Sequence, residues 1–158
     1  MLTTVNYAGI SGISGVEWDA VELPSQFMEN WCWEKDVLDT FAFHYKTKKK
    51  LPNSLFKKLL ATKNYNTGLA LLRQIEFSLF DFLLHMNERN KKTKLAENIL
   101  RDVRKKTSLI PVHKNNKFEN SFAHIFSGGY AAGYYSYKWA EVLSADAFMA
   151  FKAVSYTH

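Results

Sequence analysis

Two glutamates near the start of the chain have the residue type and spacing to meet a cation. Glu22 and Glu29 occur in V-E-L-P-S-Q-F-M-E-N-W-C-W-E at residues 21–34, and Pro24 between them suits the first turn of a helix. Their spacing predicts that both carboxylates lie on one helix face, which Trp33 continues. Carboxylates among aromatic residues are costly to desolvate unless a cation, a donor or water meets them. A binding face and a half-exposed amphipathic helix both fit this pattern.

A second group of polar side chains lies in S-F-A-H-I-F-S-G-G-Y-A-A-G-Y-Y-S-Y-K-W at residues 121–139. Tyr130, Tyr134 and Tyr137 are spaced to share one helical face, and His124 precedes them on a predicted loop. Neutral phenols donate hydrogen bonds at pH 7, so together they could stabilise an oxyanion. Such a face is also typical of a packed core whose hydroxyls reach water, with His124 as a structural hydrogen-bonding residue.

Glycines mark two places where the backbone could approach a ligand. Gly9, Gly12 and Gly15 alternate with apolar residues in G-I-S-G-I-S-G-V, which opposes a helix and predicts a loop. This loop either lies on the surface or covers a cleft. Gly128 and Gly129 directly precede the tyrosines, where small residues would allow a substrate to come close.

Other familiar chemistries lack their sequence patterns. The five histidines are far apart, and the chain contains no H-x-x-x-H pair, C-x-x-C pair, Walker phosphate loop or G-x-S-x-G elbow. Cys32 has no cationic or helix-start setting, so we expect a buried, inert thiol. A single cysteine fits a reducing compartment, and we find neither a signal peptide nor a membrane-length apolar run. These features predict a cytoplasmic protein with no membrane partner.

Length and charge are those of one globular domain. The chain has 158 residues, 47% of them hydrophobic, which is enough to bury a core. Its net charge of +6 comes largely from lysines at predicted helix ends and turns, where they keep the protein soluble. We therefore expect no nucleic-acid partner, and a basic nucleic-acid binder is the weaker alternative.

Apolar periodicity predicts an all-α fold, with a minor extended element near the N-terminus as an option. Phe27, Trp31, Leu38 and Phe41 are the predicted core contacts of the first helix. A leucine stripe on a later helix indicates burial on more than one side. The predicted helices cover residues 24–45, 54–61, 66–87, 94–107 and 129–152, with a polar connector at 109–120.

With these motifs in place, the chain resembles the thimet oligopeptidase and oligopeptidase A family of zinc metallopeptidases, most closely its bacterial oligopeptidase A branch. The resemblance rests on G-I-S-G-V-E-W-D-A-V-E-L-P-S-Q-F-M-E-N-W-C-W-E at 12–34, L-L-R-Q-I-E-F-S-L-F-D-F at 71–82 and H-I-F-S-G-G-Y-A-A-G-Y-Y-S-Y-K-W at 124–139. It covers most of residues 8–151. It implies a mainly helical fragment of a larger two-lobed fold, with the whole of 1–158 as one piece of a catalytic domain.

Within that piece the resemblance implies a glycine-rich loop at 1–20, a zinc-glutamate helix at 21–45, a helical region at 52–107 and a His/Tyr substrate-binding loop and helix at 121–152. Glu22 matches the family's third zinc ligand. Glu29 matches a carboxylate that would orient a ligand histidine. The implied cofactor is one Zn²⁺, and the implied substrates are short peptides.

The resemblance also assigns residues to the substrate. His124, Tyr130 and Tyr137 match residues that bind the substrate backbone and the oxyanion. Tyr134 is a neighbour that would line the channel, and the loop containing Gly12 matches a substrate-covering segment. The glycines before the tyrosines, Gly128 and Gly129, are expected to bind substrate as well.

The chain departs from the family in lacking H-E-x-x-H, which supplies two zinc ligands and the general base. In the family this motif would fall just upstream of Met1, and members continue for several helices beyond A-V-S-Y-T-H. We therefore expect a truncated or frame-shifted piece that lacks the N-terminal part of the same peptidase and is inactive alone. The alternative is a helical module that binds extended peptides without cutting them.

Overall fold

The protein is described here by a computed structural model, which covers residues 4–86 and 94–155. The described part of the chain is helical and contains no β-strand, so the all-α prediction is confirmed. No helix in these two ranges is both long and apolar enough to cross a membrane. The six α-helices are α1 (Leu23–Trp31), α2 (Lys35–Phe41), α3 (Asn53–Thr62), α4 (Thr67–His85), α5 (Lys94–Thr107) and α6 (Ser136–Ser155).

Short 3-10 turns and an isolated bridge complete the backbone. The turns are Ala8–Ile10, Trp18–Ala20, Phe118–Asn120 and Ala123–Ile125. The extended element that was an option near the N-terminus does not form in residues 4–20. An antiparallel bridge instead pairs Phe43 with Lys50.

The chain divides into two compact units. Unit 1 comprises Met1–Tyr65 and Ser136–His158, and unit 2 comprises Asn66–Tyr135. Unit 1 is built around the packing of α1 and the Trp18–Ala20 turn on α6, whereas unit 2 is built around the packing of α4 on α5.

The core of unit 1 is small and aromatic. Phe27, Trp31 and Phe148 meet edge-to-face, with ring centroids of Trp31 and Phe148 5.1 Å apart. Leu38 is buried as predicted, but Phe41 is 59% exposed and is not a core residue. Three of the four predicted core contacts are therefore confirmed. Leu38 is buried, whereas Phe27 and Trp31 are half-buried.

The predicted single helix at 24–45 is wrong, because the chain forms α1 and α2 with a break between them. Cys32, Trp33 and Glu34 each donate a backbone hydrogen bond three residues back, which tightens the end of α1. Glu34 then takes an extended conformation, and its carboxylate pairs with Lys152 at 2.7 Å. Trp33 thus lies in a turn and does not continue the helix.

Unit 2 has a core of aliphatic and aromatic side chains with two buried carboxylates. Phe80, Leu100, Val103 and Ile125 are almost fully buried. Glu76 is 2% exposed and is paired with Arg73 at 2.7 Å and Arg104 at 3.0 Å. Burying an ionised carboxylate requires such partners, so the two arginines explain its position.

The predicted burial of the α4 leucine stripe on more than one side is not found in this structure. Leu69, Leu79 and Leu83 are between 37% and 43% exposed, while Phe80 between them is fully buried. The contacts between α4 and α5 instead include the ion pair of Glu76 with Arg104, and Phe80 lies against Phe122.

Candidate functional site

Glu22 lies at the N-terminus of α1, as its N-cap residue. Pro24 lies in the first turn of α1. A proline is tolerated there because a backbone N–H at this position has no hydrogen-bond acceptor within the helix. The Ser25 hydroxyl lies 2.7 Å from the Glu22 carboxylate and 2.9 Å from the Glu22 backbone carbonyl oxygen, and its one proton is shared between these two acceptors. Because this side chain is half-buried and held by Ser25, its carboxylate is oriented before any ligand arrives.

Two amide side chains to which the sequence analysis assigned no role join α1 to α6. The Gln26 amide donates to the backbone carbonyl of Tyr137 at 2.8 Å, and the Asn30 amide donates to the Ser144 hydroxyl at 2.8 Å. The structure therefore places α1, the helix of Glu22 and Glu29, beside α6, whose second residue is Tyr137. The signal for these residues was their position on the same face of α1 as the two glutamates.

Glu29 is exposed and lines a polar cavity of about 290 Å³ within unit 1. The cavity is also lined by Glu141 of α6 and by the amide side chains that join the two helices. Gln26 Oε1 is buried and has no hydrogen-bond partner among the described residues 4–86 and 94–155. A buried acceptor of this kind favours a donor from an approaching group. Glu29 thus faces a space in which a donor could meet it.

Three of the predicted substrate residues come together within unit 2. The His124 ring lies 6.2 Å from Tyr130 and 6.0 Å from Tyr134, measured between ring centroids. His124 is exposed and Tyr130 half-buried, so both have access to solvent. Tyr134 is 9% exposed and packs against Phe77 and Phe122. This tyrosine belongs mainly to an aromatic cluster in the core.

The predicted tyrosine face on one helix is wrong, because α6 begins only at Ser136. Tyr130 and Tyr134 precede the helix in unit 2, and only Tyr137 lies on it, half-buried in unit 1. The physical reason is a loop at 128–135 in which Gly129 (φ +85°) and Ala132 (φ +54°) adopt left-handed conformations. A helix cannot continue through such residues.

Gly128 makes this loop compact. A Cβ atom at this position would lie 2.7 Å from His124 Cα and 2.9 Å from the His124 carbonyl oxygen. The Gly128 amide donates to the Ala123 carbonyl, and the Tyr130 amide donates to the His124 carbonyl, each at 2.9 Å. Only glycine fits here without moving the backbone that presents His124.

The glycine-rich segment at the N-terminus is exposed. Gly12 (φ +64°) and Gly15 (φ +79°) take left-handed conformations, which explains glycine at these two positions. Ile10 and Ile13 are 63% and 71% exposed on the same segment. A loop is confirmed, whereas its contact with a substrate stays a prediction.

The described residues do not by themselves form a zinc centre. Among the residues that the structure describes, no group of three or more histidine, cysteine, aspartate or glutamate side chains could hold a metal ion. A catalytic zinc site takes three protein ligands and an open position. Glu22 can supply one oxygen ligand, and the chain has no H-E-x-x-H motif to supply the others.

Cys32 is exposed, so the prediction of a buried thiol is wrong. The residue follows the last turn of α1, at the break that the sequence pattern did not indicate. A cysteine in the middle of a longer helix would have had neighbours on both sides.

Comparison with known proteins identifies the family. Residues 1–157 match the sequence pattern of Peptidase family M3. The chain belongs to peptidase family M3. This match confirms the resemblance drawn from the glutamate helix and the His/Tyr loop, and it extends over nearly every residue of the sequence.

The M3 relatives include several oligopeptidases A. The chain is 53% identical over 152 residues to oligopeptidase A of Escherichia coli (strain K12), a match that covers 96% of this chain and 22% of the relative. It is 50% identical to the probable cytosolic oligopeptidase A of Arabidopsis thaliana, with the same two coverages. It is also 50% identical to an organellar, chloroplastic/mitochondrial oligopeptidase A of that plant, covering 96% of this chain and 19% of the relative.

The chain thus spans about a fifth of the length of the curated relatives it matches. These relatives carry both cytosolic and organellar names. Family membership alone therefore does not choose a compartment, and the cytoplasmic location stays a prediction.

Proposed function

We propose that this chain is part of the catalytic region of a zinc metalloendopeptidase that hydrolyses short peptides. The observation that carries the proposal is the 53% identity to an oligopeptidase A over 152 residues, which include both motifs. The orientation of Glu22 by Ser25 supports it, because metal-binding carboxylates are commonly held by a hydrogen bond.

Glu22 would be the metal ligand that this chain contributes, and Glu29 would hold a ligand histidine in orientation. A zinc ion held there would act as a Lewis acid and would lower the pKa of a water molecule. The remaining ligands and the general base would come from peptidase sequence outside residues 1–158. The exposure of Glu29 on the cavity beside α6 fits a role toward a group from outside this chain.

The tyrosines and His124 would act on the peptide. Tyr137, in the first turn of α6, would donate a hydrogen bond from its phenol O–H to the oxyanion that forms as the scissile carbonyl becomes tetrahedral. In unit 2, Tyr130 and His124 would bind the peptide, with Gly128 and Gly129 giving its backbone close approach. Tyr134 would support these residues from the aromatic cluster, and the loop at Gly12 would cover the bound peptide.

The direct test is a chimera in which this chain replaces the matching region of the E. coli oligopeptidase A. We expect hydrolysis of a short quenched-fluorescence peptide that a metal chelator abolishes. Glu22→Gln should lower kcat/KM by at least about 100-fold, since a neutral amide is a poor zinc ligand. A fully active Glu22→Gln chimera would refute the ligand assignment.

The chain without that partner sequence should not cleave peptides. A single carboxylate does not hold zinc with useful affinity. Purified 1–158 is therefore expected to show no turnover of the same peptide when zinc is added. Calorimetric peptide binding by 1–158 that is independent of zinc would favour the alternative, a helical module that binds peptides without cutting them.

A further inference from the structure

A buried carboxylate on α4 has no role in the function proposed above. Asp81 is the next-to-last residue of the segment L-L-R-Q-I-E-F-S-L-F-D-F at 71–82, to which the sequence analysis assigned no chemical role. Its side chain is 1% exposed. An ionised carboxylate in such a position needs hydrogen-bond donors or a cation to offset its lost hydration.

The donors come from the loop at 128–135. The backbone amide of Ala132 donates to Asp81 Oδ1 at 2.8 Å, and the backbone amide of Tyr134 donates to Asp81 Oδ2 at 2.9 Å. Both carboxylate oxygens therefore bind one loop, which is more than 50 residues away in sequence. Hydrogen bonds to an ionised acceptor are stronger than neutral ones, so this contact is suited to fixing a loop.

His85, one turn later on α4, supports the same carboxylate. Its Nδ1 lies 2.8 Å from Asp81 Oδ1 and 2.9 Å from the Asp81 backbone carbonyl oxygen. Both neighbours are acceptors, so Nδ1 carries the proton. This N–H is hydrogen-bonded to the Asp81 backbone carbonyl, and the imidazole also lies against the Asp81 carboxylate.

The loop needs an outside constraint because of its backbone. Ala132 adopts a left-handed conformation, which is unfavourable for a residue with a Cβ atom. Such a conformation persists when the surrounding structure determines it. The bond to Asp81 is made by the amide of this residue. Two residues earlier, the Tyr130 amide donates to the His124 carbonyl. Tyr130 is therefore held by this hydrogen bond and by the nearby hydrogen bond between Ala132 and Asp81.

We propose that Asp81 is a positioning residue that sets the conformation of the loop at 128–135 and thereby the placement of Tyr130. The inference rests on the proposed function for the role of Tyr130, while the effect on the loop stands independently. Asp81 does not touch substrate in this proposal. It acts only through the amides of Ala132 and Tyr134.

Amide hydrogen exchange of the full chain tests the effect on the loop. Asp81→Asn keeps the shape of the side chain but turns one acceptor oxygen into a donor NH₂ group, which would face a backbone N–H. We expect the exchange of the Ala132 and Tyr134 amides to accelerate about tenfold or more. Unchanged exchange at both amides would overturn the proposal.

Glu76→Gln is the matched control. Glu76 is also a buried carboxylate of α4, but its partners are the side chains of Arg73 and Arg104, and none of them is a loop amide. This variant is expected to lower stability without selectively accelerating the two loop amides. Equal acceleration in both variants would mean a general loosening of unit 2 and would overturn the proposal.

Kinetics of the chimera test the consequence for Tyr130. Misplacing a substrate-binding group by about 1 Å can cost about 100-fold in rate, so Asp81→Asn should lower kcat/KM by about 10- to 100-fold. Glu76→Gln should leave kcat/KM of the chimera unchanged. Faster loop exchange with unaltered kinetics in Asp81→Asn would overturn the positioning role. A parent chimera without any peptidase activity would refute the proposed function, while the exchange data would still decide the effect on the loop.

Discussion

At the scale of single residues, the two glutamates of α1 have different surroundings. Glu22 is half-buried at the helix N-terminus with Ser25 on its carboxylate, whereas Glu29 is exposed beside a cavity. Their helical spacing made them equivalent. The different surroundings support the division of roles that the family resemblance implied, with one carboxylate on the metal and one on a ligand.

Glu29→Gln should therefore be milder than Glu22→Gln. Removing a residue that orients a metal ligand typically costs about 10- to 100-fold in affinity or activity. We expect kcat/KM of the chimera to fall within that range and the zinc content to fall with it. Zinc analysis by atomic absorption, alongside the peptide assay, makes the comparison. A loss larger than that of Glu22→Gln would reverse the two assignments.

Asp39 provides a pH-dependent test at the same scale. The hydrogen bond from the Lys35 ammonium, aided by the charge of Lys50, lowers the pKa of Asp39 below the ordinary value of 3.8. The stabilising contribution is thus present at neutral pH and is lost as the pH falls through the lowered pKa. An NMR titration should show this lowered pKa, and Lys35→Gln should raise it. An unchanged pKa in that variant would contradict the pairing.

At the scale of elements, the loop before α6 depends on Gly128. A Cβ atom there would meet backbone atoms of Ala123 and His124, which cannot swing away as a flexible side chain would. Gly68 in α4 has open space around it and no left-handed φ. The two glycines therefore form a matched pair for substitution by alanine.

Gly128→Ala is expected to destabilise the chain by about 1 to 3 kcal/mol, because the turn at Ala123–Ile125 must shift. Gly68→Ala should be neutral or stabilising by up to about 1 kcal/mol, since alanine is the better helix former. Urea unfolding of both variants measures these changes. Equal stability of the two variants would show that the space at Gly128 is not restrictive.

At the scale of the whole molecule, both units expose apolar helix faces. In unit 2, Leu71, Ile75, Leu79 and Leu83 recur every four residues of α4 and are each at least 37% exposed. In unit 1, the exposed apolar residues of α6 include Trp139, Val142 and Met149. Apolar faces of this extent are typical of surfaces that contact other protein.

We expect the isolated chain to self-associate as its concentration rises. Replacing Leu79 and Leu83 by lysine should reduce this association, because the charges keep the α4 face in water. Ser54→Lys and Ala61→Lys on the exposed α3 add the same two positive charges away from this face and serve as the control for a changed net charge. Sedimentation velocity across a concentration series is the measurement. A monomeric chain at all concentrations would contradict the expectation.

The sequence by itself determined the family and most of the helices. The positions of α3, α4 and α5 follow from apolar periodicity and from the prolines and lysines that mark helix ends, which are local properties. The long motifs around Glu22 and His124 were specific enough to indicate peptidase family M3, and the family comparison confirmed it.

The tertiary structure alone decided where two helices break and what holds the tyrosines. The break after α1 ends where Glu34 pairs with Lys152, and the loop before α6 is held by Asp81. Each of these contacts joins residues more than 50 positions apart. Periodicity reports only which face a residue would occupy if the helix continued, so a contact between distant residues was outside its reach.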